Sequence, residues 1–328
     1  MVGWCFLVGV VLGAPVVCLI GAAYVADLTG GGPTATVLWA AGLLAVVVLM
    51  ALAGRAVRGG VQLALVALLA GLVAVAVLGA APHARAEHWT PFALHGWWSV
   101  GRAAAVLMLS FVGWEAISPL VARLRDPDRQ LPRIIGAAFA VTALVYLGLA
   151  VVTVGVLGAG AGTGVPLADL LDVALGGSGR YLAAGAAVAL TLAATNAYIS
   201  GAVELAGRLR GTGPDRRGRG VQLSIAGVGV LVLGLIGTQV ITMDALVAVP
   251  TALLVAVYAL TTAAAVRLTT GSTRVLAGLA CAVVVVVLGF SGWALLVVAG
   301  VAVPAAVLGR RRVADRGRSP AATPAPCI

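Results

Sequence analysis

Apolar runs of roughly 18 to 25 residues recur along almost the whole chain, and short connections rich in glycine, proline and arginine separate them. At about 1.5 Å of rise per residue, each run is long enough to cross a hydrocarbon core about 30 Å thick. The pattern predicts ten transmembrane helices, at 3–24, 34–53, 60–81, 100–122, 133–157, 181–207, 221–240, 244–267, 272–290 and 292–309. The fold class expected is therefore all-α polytopic membrane protein. GAA at 21–23 has the small residues of a leader cleavage site, but no positive segment precedes the first run, so that run reads as a span. One segment breaks the pattern. Residues 165–176, VPLADLLDVALG, are too short to span, have apolar residues at helical spacing and carry two acids, which predicts a short amphipathic helix at the outer surface.

Composition sharpens this reading and excludes others. Of the 328 residues 62% are hydrophobic and only 10% charged, far from the quarter or so of charged residues in soluble domains. The net charge of +10 comes entirely from arginine, since the chain has no lysine. In a soluble protein such a balance would suggest nucleic acid; here the arginines sit in short connections between spans and report topology, so no nucleic-acid partner is expected. Alternate connections hold Arg55 and Arg58, then Arg123, Arg125, Arg129 and Arg133, then the group from Arg208 to Arg219, then Arg267 and Arg274, and finally the tail from Arg310. The other side keeps only Arg85, Arg102 and Arg180. The arginine-rich side should be cytoplasmic, which places both termini inside, as ten spans require.

The cysteines (Cys5, Cys18, Cys281, Cys327) show no metal-ligand spacing and no disulfide framework. His83, His88 and His95 share the connection at 82–99 with Trp89, Trp97 and Trp98, and read as an interfacial loop anchored by tryptophan, with no metal pattern. The tail at 310–328 is polar and proline-rich and is expected to be disordered at the cytoplasmic membrane surface.

Two polar concentrations stand out against this background. The first is FVGWEAISPLVARLRDPDRQLPR at 111–133. A carboxylate at mid-membrane costs about 2.5–3.5 kcal/mol on insertion scales, so Glu115 reads as functional. Pro119 has no N–H for the carbonyl of Glu115 and should break the helix, while Ser118 followed by proline is a favoured N-cap and restart. Carbonyls at 111–115 would be left without intrahelical partners, and in lipid these persist only where they face protein or a cavity. The negative end of a half-helix suits an ammonium group. Phe111, Val112, Gly113, Trp114, Glu115 and Ser118 are thus candidate substrate-binding residues. The second concentration is TNAYISGAVELAGRLR at 195–210. Asn196, Ser200, Glu204 and Arg208 fall four apart, forming one stripe on one helix face. Glu204 and Arg208 have the order of a structural ion pair. Asn196 and Ser200 lie deeper and read either as interhelical hydrogen-bonding groups or as further substrate contacts. No nucleophile, base and orienting group recur on facing spans, so catalytic, metal and cofactor roles are not expected.

The run from FVGWEAISPL to RDPDRQLPR resembles the sixth helix and following turn of the amino acid/polyamine/organocation transporter family. The resemblance extends through TNAYISGAVELAGRL, ITMDALVAVPTALLVAVYAL and GFSGWALLVVAGVAVPAAVL, and its spacing is similar to bacterial exporters of methionine and branched-chain amino acids. It implies a LeuT-like fold of inverted repeats around a mid-membrane substrate site. On that basis residues 1–81 form a partial first repeat, 100–267 the second and 272–309 two accessory helices. The implied activity is secondary transport of neutral aliphatic amino acids outward across the plasma membrane, with the proton among the candidate coupling ions. A lysine on the family's fifth helix, used for coupling in some members, has no counterpart at 60–81. The chain begins at what resembles the family's third helix, so the resemblance implies an N-terminally truncated first repeat. Either the gene starts upstream, or the product is a truncated, non-transporting membrane protein or assembly partner.

Overall fold

In the computed structural model, residues 2–54, 59–90, 96–111, 113–114, 121, 124–162, 164–210 and 218–305 are described, with the side chains of 208–210 excepted. Among them the regular structure is helical: α1 (Val2–Leu28), α2 (Pro33–Leu52), α3 (Gly59–Ala80), α4 (Trp97–Leu107), α5 (Pro127–Leu157), α6 (Pro166–Leu175), α7 (Ser178–Arg210), α8 (Gly218–Gly237), α9 (Met243–Leu268), α10 (Gly271–Gly289) and α11 (Ala294–Ala305). Eight of these, all but α4, α6 and α11, are long and apolar enough to cross a membrane. The other two expected spans correspond to α4, which stops after 11 residues, and to α11. The tail from 306 lies outside the described residues, as do Arg55, Arg58 and the connection at 211–217.

Local chemistry sets the ends of the helices. Gly30, at φ +65°, terminates α1, with the Gly31 N–H reaching back to the Ala26 carbonyl, and Pro33 opens α2 at a position that needs no N–H. Thr242 caps α9 by accepting from the Ala245 N–H, with Asp244 in the first turn and Arg267 in the last, both complementing the helix dipole.

The central body is built from α1, α2, α7, α8 and the start of α9. Its core joins Leu7, Val10, Val16 and Leu19 to Leu44 and Val47, to Ile199 and Ala202, and to Ile225, Leu233 and Leu246. A second core sets α3 and α6 against α7 and the end of α5, through Leu72, Ala76, Leu170, Leu171, Ala183 and Val152. The expected amphipathic helix at 165–176 is present as α6, but its apolar side packs on protein: Leu170 and Leu171 are completely buried. Outward-facing Leu38, Leu63, Leu144, Val230 and Leu279 leave an apolar perimeter suited to lipid.

Polar contacts tie helix ends together on two faces. One face gathers the C-terminal end of α1, α6, the N-terminal end of α7 and the connection carrying Arg85. The opposite face joins the C-terminal end of α2 to the N-terminal end of α8, where the Gln222 side chain donates to the Ala51 carbonyl at 3.0 Å.

Candidate functional site

The helix expected to break does so. α4 keeps α-helical form only to Leu107, and Met108–Phe111 tighten into a 3-10 turn. Gly113 follows at φ +124°, a conformation that strongly favours glycine. The break therefore begins ahead of the glycine. Val112, Glu115, Ser118 and Pro119, and with them the expected restart, lie outside the described residues.

A helix that stops inside an apolar layer leaves carbonyls needing donors. Two tyrosines supply them. The Tyr146 hydroxyl on α5 donates to the Ser110 carbonyl at 2.7 Å, and the Tyr258 hydroxyl on α9 donates to the Phe111 carbonyl at 2.9 Å. The rings of Phe111 and Tyr146 meet edge to face with centroids 6.0 Å apart. Farther up the half-helix, the Phe290 ring covers Gly101, which has no room for a side chain, and packs on Trp98 at 4.8 Å.

Beside the break lies a cavity of ≈ 80 Å³. Its walls are Gly9, Gly13 and their α1 neighbours, Leu109 from the 3-10 turn, Leu254 from α9, and Thr195 and Tyr198 from α7. Among the described residues the lining is apolar apart from those last two, with no carboxylate or guanidinium. Gly9 and Gly13 let α1 approach α9: added Cβ atoms would lie 3.4 Å from Leu254 and 3.7 Å from Pro250. Thr195 is 1% exposed, and among the described residues its hydroxyl has no partner at ordinary hydrogen-bond geometry; the Cys18 thiol lies beside it. Gly113 itself faces Tyr198, whose hydroxyl would lie 3.7 Å from an added Cβ.

Of the residues singled out from the sequence, Phe111, Gly113 and Trp114 lie at the break. Asn196 and Ser200 are not among the described walls of the cavity beside it. These two line a separate cavity of ≈ 180 Å³ with Ala51, Gly54, Ile199, Val203 and Gln222, on the other side of α7. The Ser200 hydroxyl donates to the Asn196 carbonyl at 2.9 Å, within its own helix. The reason is helical phase: Thr195 and Tyr198 are three apart on one face, while Asn196, Ser200 and Val203 turn toward α2 and α8. The expected partner of Glu204, the Arg208 side chain, is outside the described residues. Tyr146, Thr195 and Tyr198 were not singled out by spacing, and Tyr258 stood out only as a polar exception in its span, with no role attached. A usable signal existed for the tyrosines, because a phenol deep in an apolar span must find a hydrogen-bond partner.

On the arginine-poor face, the Arg180 guanidinium is forked among three acids. It meets Asp27 of α1 at 2.7 Å, Asp169 of α6 at 2.9 Å and Asp172 of α6 at 3.1 Å. The 82–90 connection folds onto the end of α5, where the Arg85 N–H donates to the Gly155 carbonyl at 2.8 Å and the His88 ring meets the same carbonyl at 2.8 Å. Among the described residues no cluster of histidine, cysteine and acid has the geometry of a metal site.

Comparison with known proteins adds the following. Residues 1–209 match the profile of a family described as amino acid permease. An uncharacterised amino acid permease, YecA of Bacillus subtilis (strain 168), is 31% identical over 315 residues, covering 90% of this chain and 73% of that protein. The branched-chain amino acid permease BcaP of the same organism is 28% identical over 78 residues, 24% of this chain and 17% of that one. An uncharacterised transporter of Mycobacterium tuberculosis is 37% identical over 79 residues, 24% of this chain and 18% of its own length.

Proposed function

This chain belongs to the amino acid permease family, a family of multi-pass membrane transporters and not of enzymes, and from that premise we propose that it moves neutral aliphatic amino acids by secondary transport, binding them at the break in the α4 span. The observation that carries the proposal is the pairing of backbone acceptors outside the helical ladder, held by tyrosine hydroxyls, with an apolar cavity beside them. Ser110 and Phe111 present the carbonyls of a half-helix end, and the residue just before them, Leu109, lines the cavity. An ammonium group suits the negative helix end, and an aliphatic side chain suits walls of glycine, valine and leucine. The substrate site in this reading comprises Phe111, Val112, Gly113, Trp114, Glu115 and Ser118 with Thr195 and Tyr198. Asn196 and Ser200 serve the second cavity.

Against the apolar walls that the described residues supply, an unpaired side-chain charge is strongly disfavoured, which favours amino acids with a neutral aliphatic side chain. The name of BcaP, a branched-chain amino acid permease, agrees with that preference. The outward direction rests on the likeness in spacing of the wider resemblance to bacterial exporters of methionine and branched-chain amino acids. The plasma membrane is the expected location, with the arginine-rich face and both termini in the cytoplasm.

The test is transport in cells overproducing the gene. Extrusion of labelled methionine or leucine should exceed that of a vector control and be abolished by Glu115→Gln. Undiminished efflux in that variant would remove Glu115 from the mechanism, and no efflux above control from the unaltered gene would remove the proposed direction and substrate.

A further inference from the structure

We infer that the Tyr258 hydroxyl stands in for the substrate's ammonium group, holding the Phe111 carbonyl while the site is empty and yielding it when an amino acid binds. This inference rests on the break being the substrate site, as proposed above.

The two tyrosines at the break are not equivalent. Tyr146 comes from α5, which contributes no wall to the cavity, and its ring also packs edge-on against Phe111. Tyr258 comes from α9, where Leu254, four residues earlier and so on the same helix face, is itself a cavity wall. The Phe111 carbonyl thus receives its donor from the side on which the cavity lies. A hydroxyl at 2.9 Å occupies the position from which an ammonium N–H would approach, at the separation such a bond adopts.

Energetics favour exchange in one direction only. A part-buried carbonyl resists losing its donor, so a solute with no hydrogen-bond donor to offer cannot take the hydroxyl's place. An ammonium donates a charge-assisted bond, roughly twice as strong as that of a neutral hydroxyl, and can displace it. Tyr258 is therefore a specificity-determining residue. It keeps the half-helix end satisfied in the empty carrier and makes an amine the condition for replacing it.

Removing the hydroxyl while keeping the ring should make the amine easier to bind, since nothing need be displaced and the carbonyl gains a donor it lacked. In the purified full chain, Tyr258→Phe should lower the Kd for labelled leucine about tenfold. Competition by isocaproate, which has leucine's side chain and carboxylate but no amine, should be unchanged, and Tyr146→Phe should leave the leucine Kd where it was. Leucine binding with an unchanged or raised Kd in Tyr258→Phe overturns the inference alone. An absence of leucine binding by the unaltered protein overturns both it and the proposed function. If Tyr258→Phe does not fold, infrared difference spectra of the unaltered protein with ring-labelled tyrosine decide the matter. The C–O stretch of one tyrosine should shift with leucine and not with isocaproate, and no shift overturns the inference.

Discussion

Gly13 shows how much a single missing side chain contributes here. It lines the cavity and lets Pro250 approach to a distance that an added Cβ would meet at 3.7 Å, ordinary contact. Alanine should therefore be accepted, whereas the branches of valine would project into a space of ≈ 80 Å³. Gly13→Val is expected to weaken the apparent affinity for leucine by about 1–3 kcal/mol while affecting alanine less, read by competition against labelled substrate. At this scale the sequence was legible where the backbone itself is constrained. Gly113 announced a break and has a positive φ. Thr195 was not legible, because one threonine among many in apolar helices says nothing of which neighbour it meets. Its place on the cavity wall, one residue from Asn196 on the opposite side, follows from helical phase set by packing.

Helices in lipid associate through close backbone approach, and the contact of α1 with α7 depends on it. Gly21 lies directly against Thr191, so that a Cβ there would collide with the Thr191 side chain. Gly21→Val is expected to overpack this crossing and destabilise the protein by about 1–3 kcal/mol, seen as a lower melting temperature in detergent. Thr191→Ala in the same background should recover part of the loss. α6 illustrates the limit of reading elements from periodicity. The amphipathic pattern at 165–176 specified a helix correctly, but an apolar stripe buries itself equally well in lipid or on protein. Only the presence of α3 and α7 beside it, with Leu170 and Leu171 completely buried between them, selects protein.

Across the whole molecule, the fork at Arg180 ties three elements together. Its nitrogens hold Asp27, Asp169 and Asp172, binding the end of α1 and the start of α7 to α6. The site is a third exposed at the arginine, so solvent screens it in part. Arg180→Gln should cost about 1–3 kcal/mol, because it leaves three acids close together and removes charge-assisted bonds. Arg180→Lys should restore only part of this stability, since an ammonium lacks the planar fork that serves separate carboxylates. Thermal melts of the three proteins provide the check. This network also joins the arginine-poor ends expected from charge alternation to one face of the structure.

The sequence by itself determined that the chain crosses a membrane many times, and it marked the span containing Gly113 as one that does not stay α-helical throughout. These are local or additive properties: hydrophobic length and the hydrogen-bonding capacity of a few backbone units. Only the tertiary structure decided that α4 ends at Leu107, that Tyr146 and Tyr258 hold the carbonyls of the 3-10 turn after it, and that α7 offers Thr195 and Tyr198 to one cavity and Asn196 and Ser200 to another. Those facts depend on donors and walls supplied by helices far apart in the chain. A carbonyl's partner is chosen by what packs beside it, and no spacing within one segment encodes that neighbour.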